Sequence, residues 1–322
     1  MRAILKYPGA KWNLASWIIS HMPPHESYLE PYFGSGAVFF NKEPARIETI
    51  NDLDGEIVNF FSVCREHPEE LARAINLTPW AREELKESQK VADDPVERAR
   101  RTAVGCYMTF GSRRCSKSFR HSTGKYKHYG PDNAKLWGKL PETIIQVAQR
   151  LKNAQIENRP AIDLIKSFDG PEVLVYLDPP YMKDTRTLHG DQYHFEMSDQ
   201  EHEELLKTII IFTGKVIISG YDHEMYNDYL KGWDMRSIKS QIERGGTRTE
   251  ILDVSTIEKN FILSAKPTNP RKRDGQDTRL LDILVSPKCP TIAILFFRLF
   301  QTEKIERGKP LRPQNPKNLT IS

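Results

Sequence analysis

Short apolar runs alternate with amphipathic stretches through most of the chain. Ser27–Glu30 reads as a strand, Phe33-Gly34-Ser35-Gly36 as a turn, and Ala37–Asn41 as the start of a helix. A second strand, Ile47–Ile50, ends at Asn51-Asp52-Leu53-Asp54. From about Glu56 to Glu66 the apolar residues Ile57, Phe60, Phe61 and Cys64 recur at helical spacing. Residues 68–104 are strongly charged and read as further helices, broken near Asp94-Pro95. Residues 105–140 change character to basic, aromatic and Gly/Ser-rich, and helical periodicity returns over Pro141–Lys152. Val173–Leu177 is a continuous apolar run, the pattern of a strand covered on both faces. It is followed by a helix, Asp199 to about Phe212, a second buried strand, Lys215–Ser219, and a helix near Met225–Leu230. Trp233–Lys239 and Thr249–Ser255 flank Arg244-Gly245-Gly246-Thr247 as the arms of a hairpin. Strands alternating with helices predict an α/β fold. Its sheet is mostly parallel, with an antiparallel edge hairpin.

Charge divides this pattern into regions. The 322 residues carry a net +4. Residues 105–140 hold eight Lys/Arg against one acid, and residues 264–322 hold twelve against five, so each block is +7 and the remainder is −10. Two basic blocks on an acidic body point to a polyanionic partner. No apolar run approaches the ~18 residues of a membrane span, and Met1–Trp12 has no signal-peptide apolar region, so a cytoplasmic protein is expected. The four cysteines form no C-x-x-C pair, which argues against a disulfide framework or structural zinc. None follows a proline, so there is no Pro-Cys nucleophile. His189, Asp191 and His194 sit among Gly190 and Gln192 and read as a loop, so no metal site is assigned. His202 reads as a helix-surface residue.

Three segments carry candidate chemistry. The Gly34/Gly36 turn between strand and helix lets backbone N–H groups approach a ligand, although the third glycine of the dinucleotide fingerprint is replaced by Phe39. Asp52 ends the next strand, where a carboxylate accepts hydrogen bonds from a ribose. Asp178-Pro179-Pro180-Tyr181 ends a buried strand at the edge where open α/β sheets bind ligands. The prolines remove two backbone donors and stiffen the loop. Asp178 and the free carbonyls can hold an amino group by its hydrogens, and Tyr181 offers a flat face for a planar base.

These segments resemble a Dam-type, D12-class (class alpha) DNA adenine-N6 methyltransferase over roughly residues 1–255. The matching pieces are Leu5–Lys11, Glu30–Gly36, Asn51–Asp54, Gln155–Asn158, Asp178–Tyr181 and Ile218–Tyr221, in that order. The resemblance implies a Rossmann-like sheet and S-adenosylmethionine as cofactor. It places Tyr7, Lys11, Phe33, Gly34, Gly36, Asp52 and Asp178 at the cofactor, and Asp178, Pro179, Pro180 and Tyr181 at the chemistry. Residues 1–104 and 141–263 would form the catalytic domain. Residues 105–140 would be a small inserted target-recognition module, with Arg113, Arg114, Lys117, Arg120, Lys125 and Lys127 on DNA. Residues 256–322 match nothing familiar, and 264–322, with seven prolines, read as a basic extension attracted to DNA.

The function implied is site-specific methylation of adenine N6 in duplex DNA with base flipping, by a monomer. GATC is a guess for the site, and the resemblance admits a restriction-enzyme partner in the host. One departure is Asp253, where an aromatic often follows Thr249-Glu250-Ile251-Leu252. The rivals are methylation of protein glutamine or of RNA adenine, and a catalytically silent DNA-binding module.

Overall fold

The computed structural model describes residues 1–110, 116, 118–121, 133–185, 195–241 and 247–255. Among the described residues the seven strands are β1 (Ser27–Glu30), β2 (Ile47–Asn51), β3 (Ala154–Glu157), β4 (Val173–Leu177), β5 (Lys215–Gly220), β6 (Asp234–Gln241) and β7 (Thr247–Val254). They form one sheet in the order β3-β2-β1-β4-β5-β7-β6. The first five are parallel. β7 runs antiparallel between β5 and β6, which is the expected edge hairpin. The order reverses between β1 and β4, and open sheets of this kind bind ligands at the carboxyl ends of such a pair.

Strand alternation explains why both faces are covered. In β4, Leu174 and Tyr176 join one apolar cluster while Val175 and Leu177 join the other. In β5, Ile217 faces the first cluster, and Val216 and Ile218 the second. The first cluster is closed by α1 (Ala15–Ile19), α2 (Gly55–Glu66), α3 (Pro68–Asn76), α4 (Arg82–Glu87), α5 (Pro95–Met108), α6 (Asn133–Trp137) and α7 (Leu140–Leu151). The second is closed by α8 (Ala161–Ser167), α9 (Asp199–Ile210) and α10 (Glu224–Tyr229). Caps set the helix starts. Asp54 accepts from Glu56 N, Asp94 accepts from Glu97 N with Pro95 in the first turn, and Ser198 and Glu201 form a capping box.

Two expectations need correction. Ala37–Asn41 is a single turn and no helix follows it. Burial of Phe39 and Phe40 against Phe33 and Phe61 takes precedence over helix extension, and the Asn41 amide closes the turn on the Ala37 carbonyl. His202 is fully buried rather than on the helix surface, with Nδ1 2.9 Å from the Tyr226 hydroxyl. Its place in α9 faces α10, a packing partner that helical periodicity alone does not reveal. The basic block also begins inside the core. Residues 105–108 end α5, and Tyr107 is buried with its hydroxyl donating to the Ala3 carbonyl. Among the described residues no helix is long and apolar enough to cross a membrane.

Candidate active site at the carboxyl edge of the sheet

The turn after β1 is built on two left-handed glycines. Gly34 has φ +50° and Gly36 φ +66°. A Cβ on Gly36 would lie 2.5 Å from the Phe33 ring and 2.6 Å from Phe40, so no larger residue fits without moving the aromatic cluster. A Cβ on Gly34 would lie 3.2 Å from the Tyr7 ring, which places Tyr7 against the turn. Phe33 is buried in the same aromatic cluster, so its ring supports the turn as well as lining the cavity above it.

Asp52 straps this turn to the end of β2. Its Oδ2 accepts from Gly34 N at 2.8 Å and its Oδ1 from Asp54 N at 2.9 Å. Burial pushes its carboxyl up to about 6, against the pull of those two N–H groups. Glu30, at the end of β1, faces the same cavity and accepts from the Tyr28 hydroxyl at 2.7 Å. It is 2% exposed, and burial, reinforced by the charge of Asp178, pushes its carboxyl up to about 8.

The cavity measures about 190 Å³. Tyr7, the Gly34 turn, Asp52, Glu30, Asp178 and Pro180 line it, and Ile162, Phe195 and Met197 supply an apolar wall. It therefore brings together predicted residues from four distant stretches of chain.

Asp178 stands where this cavity meets a second cluster. Its Oδ1 receives Lys11 Nζ at 2.9 Å and the Ser219 hydroxyl at 3.0 Å. Ser219 Oγ lies 3.2 Å from the Tyr176 hydroxyl, so a chain of polar groups inside the sheet fixes the carboxylate. The Lys11 ammonium also reaches the Gly9 carbonyl at 2.9 Å and Glu250 Oε1 at 3.4 Å. It lies 4.7 Å from the centre of the Tyr181 ring. Tyr181 donates its hydroxyl to Glu250 and meets Tyr221 edge-on, with centroids 4.4 Å apart. Burial raises the Tyr181 phenol well above its ordinary range, helped by the charges of Asp178 and Glu250. The Asp178 side chain is 20% exposed, against 7% for Lys11 and 5% for Glu250, so it is the most open charge in the cluster.

Sequence reasoning missed three of these groups: Glu30, Ser219 and Glu250. Each is a buried polar residue with a core residue beside it on its strand: Leu29, Ile218 and Ile251. Of the six predicted DNA contacts, Arg120 is described. Its backbone N–H donates to the Met108 carbonyl and its carbonyl accepts from the Trp80 indole. Arg113, Arg114, Lys117, Lys125 and Lys127 lie outside the described residues, as do His189, Asp191 and His194 and the extension 264–322.

Residues 7–244 match the family model described as D12 class N6 adenine-specific DNA methyltransferase. The chain is 26% identical over 288 residues to a DNA adenine methylase of Escherichia coli (strain K12), covering 82% of this chain and 97% of that protein. It is 25% identical over 271 residues to a DNA adenine methylase of Salmonella typhi, covering 78% and 92%. It is 30% identical over 226 residues to the Type II methyltransferase M1.LlaDCHI of Lactococcus lactis subsp. cremoris, covering 64% and 75%.

Proposed function

The chain belongs to the D12 class of N6 adenine-specific DNA methyltransferases, and on that premise we propose that it transfers a methyl group from S-adenosylmethionine to an adenine flipped out of duplex DNA. The observation that carries this reading is the position of Asp178. It borders the glycine-turn cavity on one side and the Tyr181 ring, through Lys11, on the other.

The cavity's residues fit the cofactor. Two left-handed glycines keep side chains out of the turn, Asp52 offers a carboxylate to a polar cationic ligand, and Ile162 and Phe195 suit a flat apolar ring. Tyr7, Gly34, Gly36, Phe33, Asp52 and Asp178 would hold it, with Lys11 at its edge. When bound, S-adenosylmethionine supplies an electrophilic methyl carbon and leaves as a neutral thioether.

The chain's own groups handle the base. An adenine amino group is buried in base pairing, so the base must leave the stack. Asp178 accepts one amino hydrogen and the Pro179 carbonyl the other, which draws the nitrogen lone pair out of conjugation with the ring. Ser219 and Tyr176 hold Asp178 in orientation. Tyr181 provides the stacking face once Lys11 has moved from it. Orientation and fixed charge supply most of the acceleration; the nitrogen, cationic once methylated, then sheds one proton to water, so no side chain need act as a strong base.

Residues 105–140, with Arg113, Arg114, Lys117, Arg120, Lys125 and Lys127, would form the recognition insert, and 264–322 a basic extension on the DNA. The enzyme would act as a monomer in the cytoplasm, with or without a restriction partner. Transfer of labelled methyl from S-adenosylmethionine to duplex DNA, RNA and protein tests the reading. Label in duplex DNA alone, on adenine, supports it, and mapping the modified adenines yields the site. Label in RNA or protein, or none, refutes it.

A further inference from the structure

The Lys11 ammonium lies between two carboxylates, 2.9 Å from Asp178 and 3.4 Å from Glu250, and over the Tyr181 ring. The Asp178 carboxylate and the Tyr181 face are the same two surfaces that an incoming adenine needs. Ammonium and base cannot hold them together. Glu250 has no part in the chemistry proposed above. Yet it is a carboxylate on β7, 4% exposed, next to the core residues Ile251 and Leu252. A charge buried at such a position is costly unless it is paired.

We propose that Glu250 is a positioning residue that clears Asp178 for the substrate, receiving the Lys11 ammonium as the amino group of the base docks. This rests on the reading that an adenine enters beside Tyr181. The required movement is small, because the ammonium is already close to Glu250 and a lysine end reaches a neighbouring acceptor by rotation of its terminal torsions. Charge stays balanced throughout. Before docking, one ammonium is shared by two carboxylates. Afterwards it pairs with Glu250, while Asp178 is met by the amino hydrogens and by Ser219. The Tyr181 hydroxyl, which donates to Glu250 as well, holds the ring and the acceptor in one arrangement. Glu250 thus acts through Lys11 and Tyr181 without touching the base.

The test compares the equilibrium affinity of the full chain for two duplexes. One carries adenine at the mapped target position and the other purine, which lacks the amino group, each opposite an abasic position so that neither base has a pairing partner to lose. In the wild type the adenine duplex binds ~10-fold or more tightly, the worth of a hydrogen bond to a charged acceptor. In Glu250→Gln, which is isosteric and still accepts from Tyr181, the ammonium stays on Asp178 and the preference falls to about twofold or less. Lys11→Met in the Glu250→Gln background removes the competitor and restores the preference to within about threefold of wild type. A purely structural role for Glu250 would lower the melting temperature and would not be relieved by Lys11→Met. Retention of the preference in Glu250→Gln, or its loss without relief, overturns the proposal. Should Glu250→Gln fail to fold, Lys11→Met alone carries the test: it must equal or exceed the wild-type preference, and a loss overturns the proposal. A wild type that methylates DNA but ignores the amino group refutes the proposal alone. One that neither methylates nor discriminates refutes the reading beneath it.

Discussion

Glu30→Gln separates the cost of a buried charge from the rest of the site. Glu30 is 2% exposed, accepts from the Tyr28 hydroxyl, and is pushed up to about 8 from an ordinary 4.5. Between those values the unfolded chain has lost its proton and the folded chain keeps it. Stability contributed by the neutral carboxyl is therefore complete below pH 4.5, declines as pH rises, and is gone above about pH 8. Across that window each pH unit removes about 1.4 kcal/mol, so the total approaches about 5 kcal/mol as an upper limit, because surroundings relax around a buried charge. Glutamine keeps an acceptor for Tyr28 and has no proton to lose. Denaturant unfolding of both proteins from pH 5 to 9 should give curves that diverge upward in pH, with the glutamine variant gaining on the wild type. A constant offset between the two, within about 0.5 kcal/mol over the range, would refute the assignment, since other titrating groups are common to both.

Asp178→Ala should cost at least about 2–3 kcal/mol of transition-state stabilisation, roughly 100-fold in methyl transfer, and near-normal transfer by a folded variant would refute its role. Tyr181→Phe takes a donor from Glu250 and should lower stability by about 1–3 kcal/mol in denaturant unfolding. It should nonetheless retain the stacking that Tyr181→Ala loses, worth about 1–3 kcal/mol, and methyl transfer as poor as that of the alanine variant would count against stacking. Neutralising Arg113, Arg114, Lys117 and Arg120 together should reduce the log–log salt slope of DNA binding by about 0.9 for each true phosphate contact. An unaltered slope would place the DNA elsewhere. Ending the chain at Leu263 should leave a soluble enzyme of unchanged site specificity that binds DNA more weakly at low salt. Aggregation or a much lower melting temperature would show that the tail covers apolar surface.

What was legible in the sequence was whatever has a short-range signature. β4 is an unbroken apolar run, Val216–Ile218 is the apolar centre of β5, and Ile57, Phe60, Phe61 and Cys64 recur at helical spacing in α2, so most elements could be placed from the chain itself. The turn at Ala37–Asn41 was misread because a helix start and a single aromatic-anchored turn share the same few residues, and contacts with Phe61 decide between them. β3 went unassigned because its four residues alternate too briefly to show a period. In the site, Asp52 and Asp178 could be picked out because each ends a strand. Ser219 and Glu250 could not, because their meaning comes from partners 41 and 69 residues away in the chain. Asp52 was expected to serve a ribose; its first partners are the Gly34 and Asp54 N–H groups, a local role that only coordinates reveal.

The position of β7 has a consequence for how the enzyme is made. Among the described residues, the strand synthesised last lies inside the sheet, between β5 and β6. On the ribosome, β6 emerges with no strand to join, and the open edge of β5 waits until residues 247–254 have left the exit tunnel. Those residues also bring Glu250 to Lys11 and Tyr181. Closing the sheet and completing the charge cluster are therefore one event. A nascent chain released before it would be both inactive and sticky along an unpaired β5, which ties the cell's supply of active enzyme to translation reaching the final hairpin.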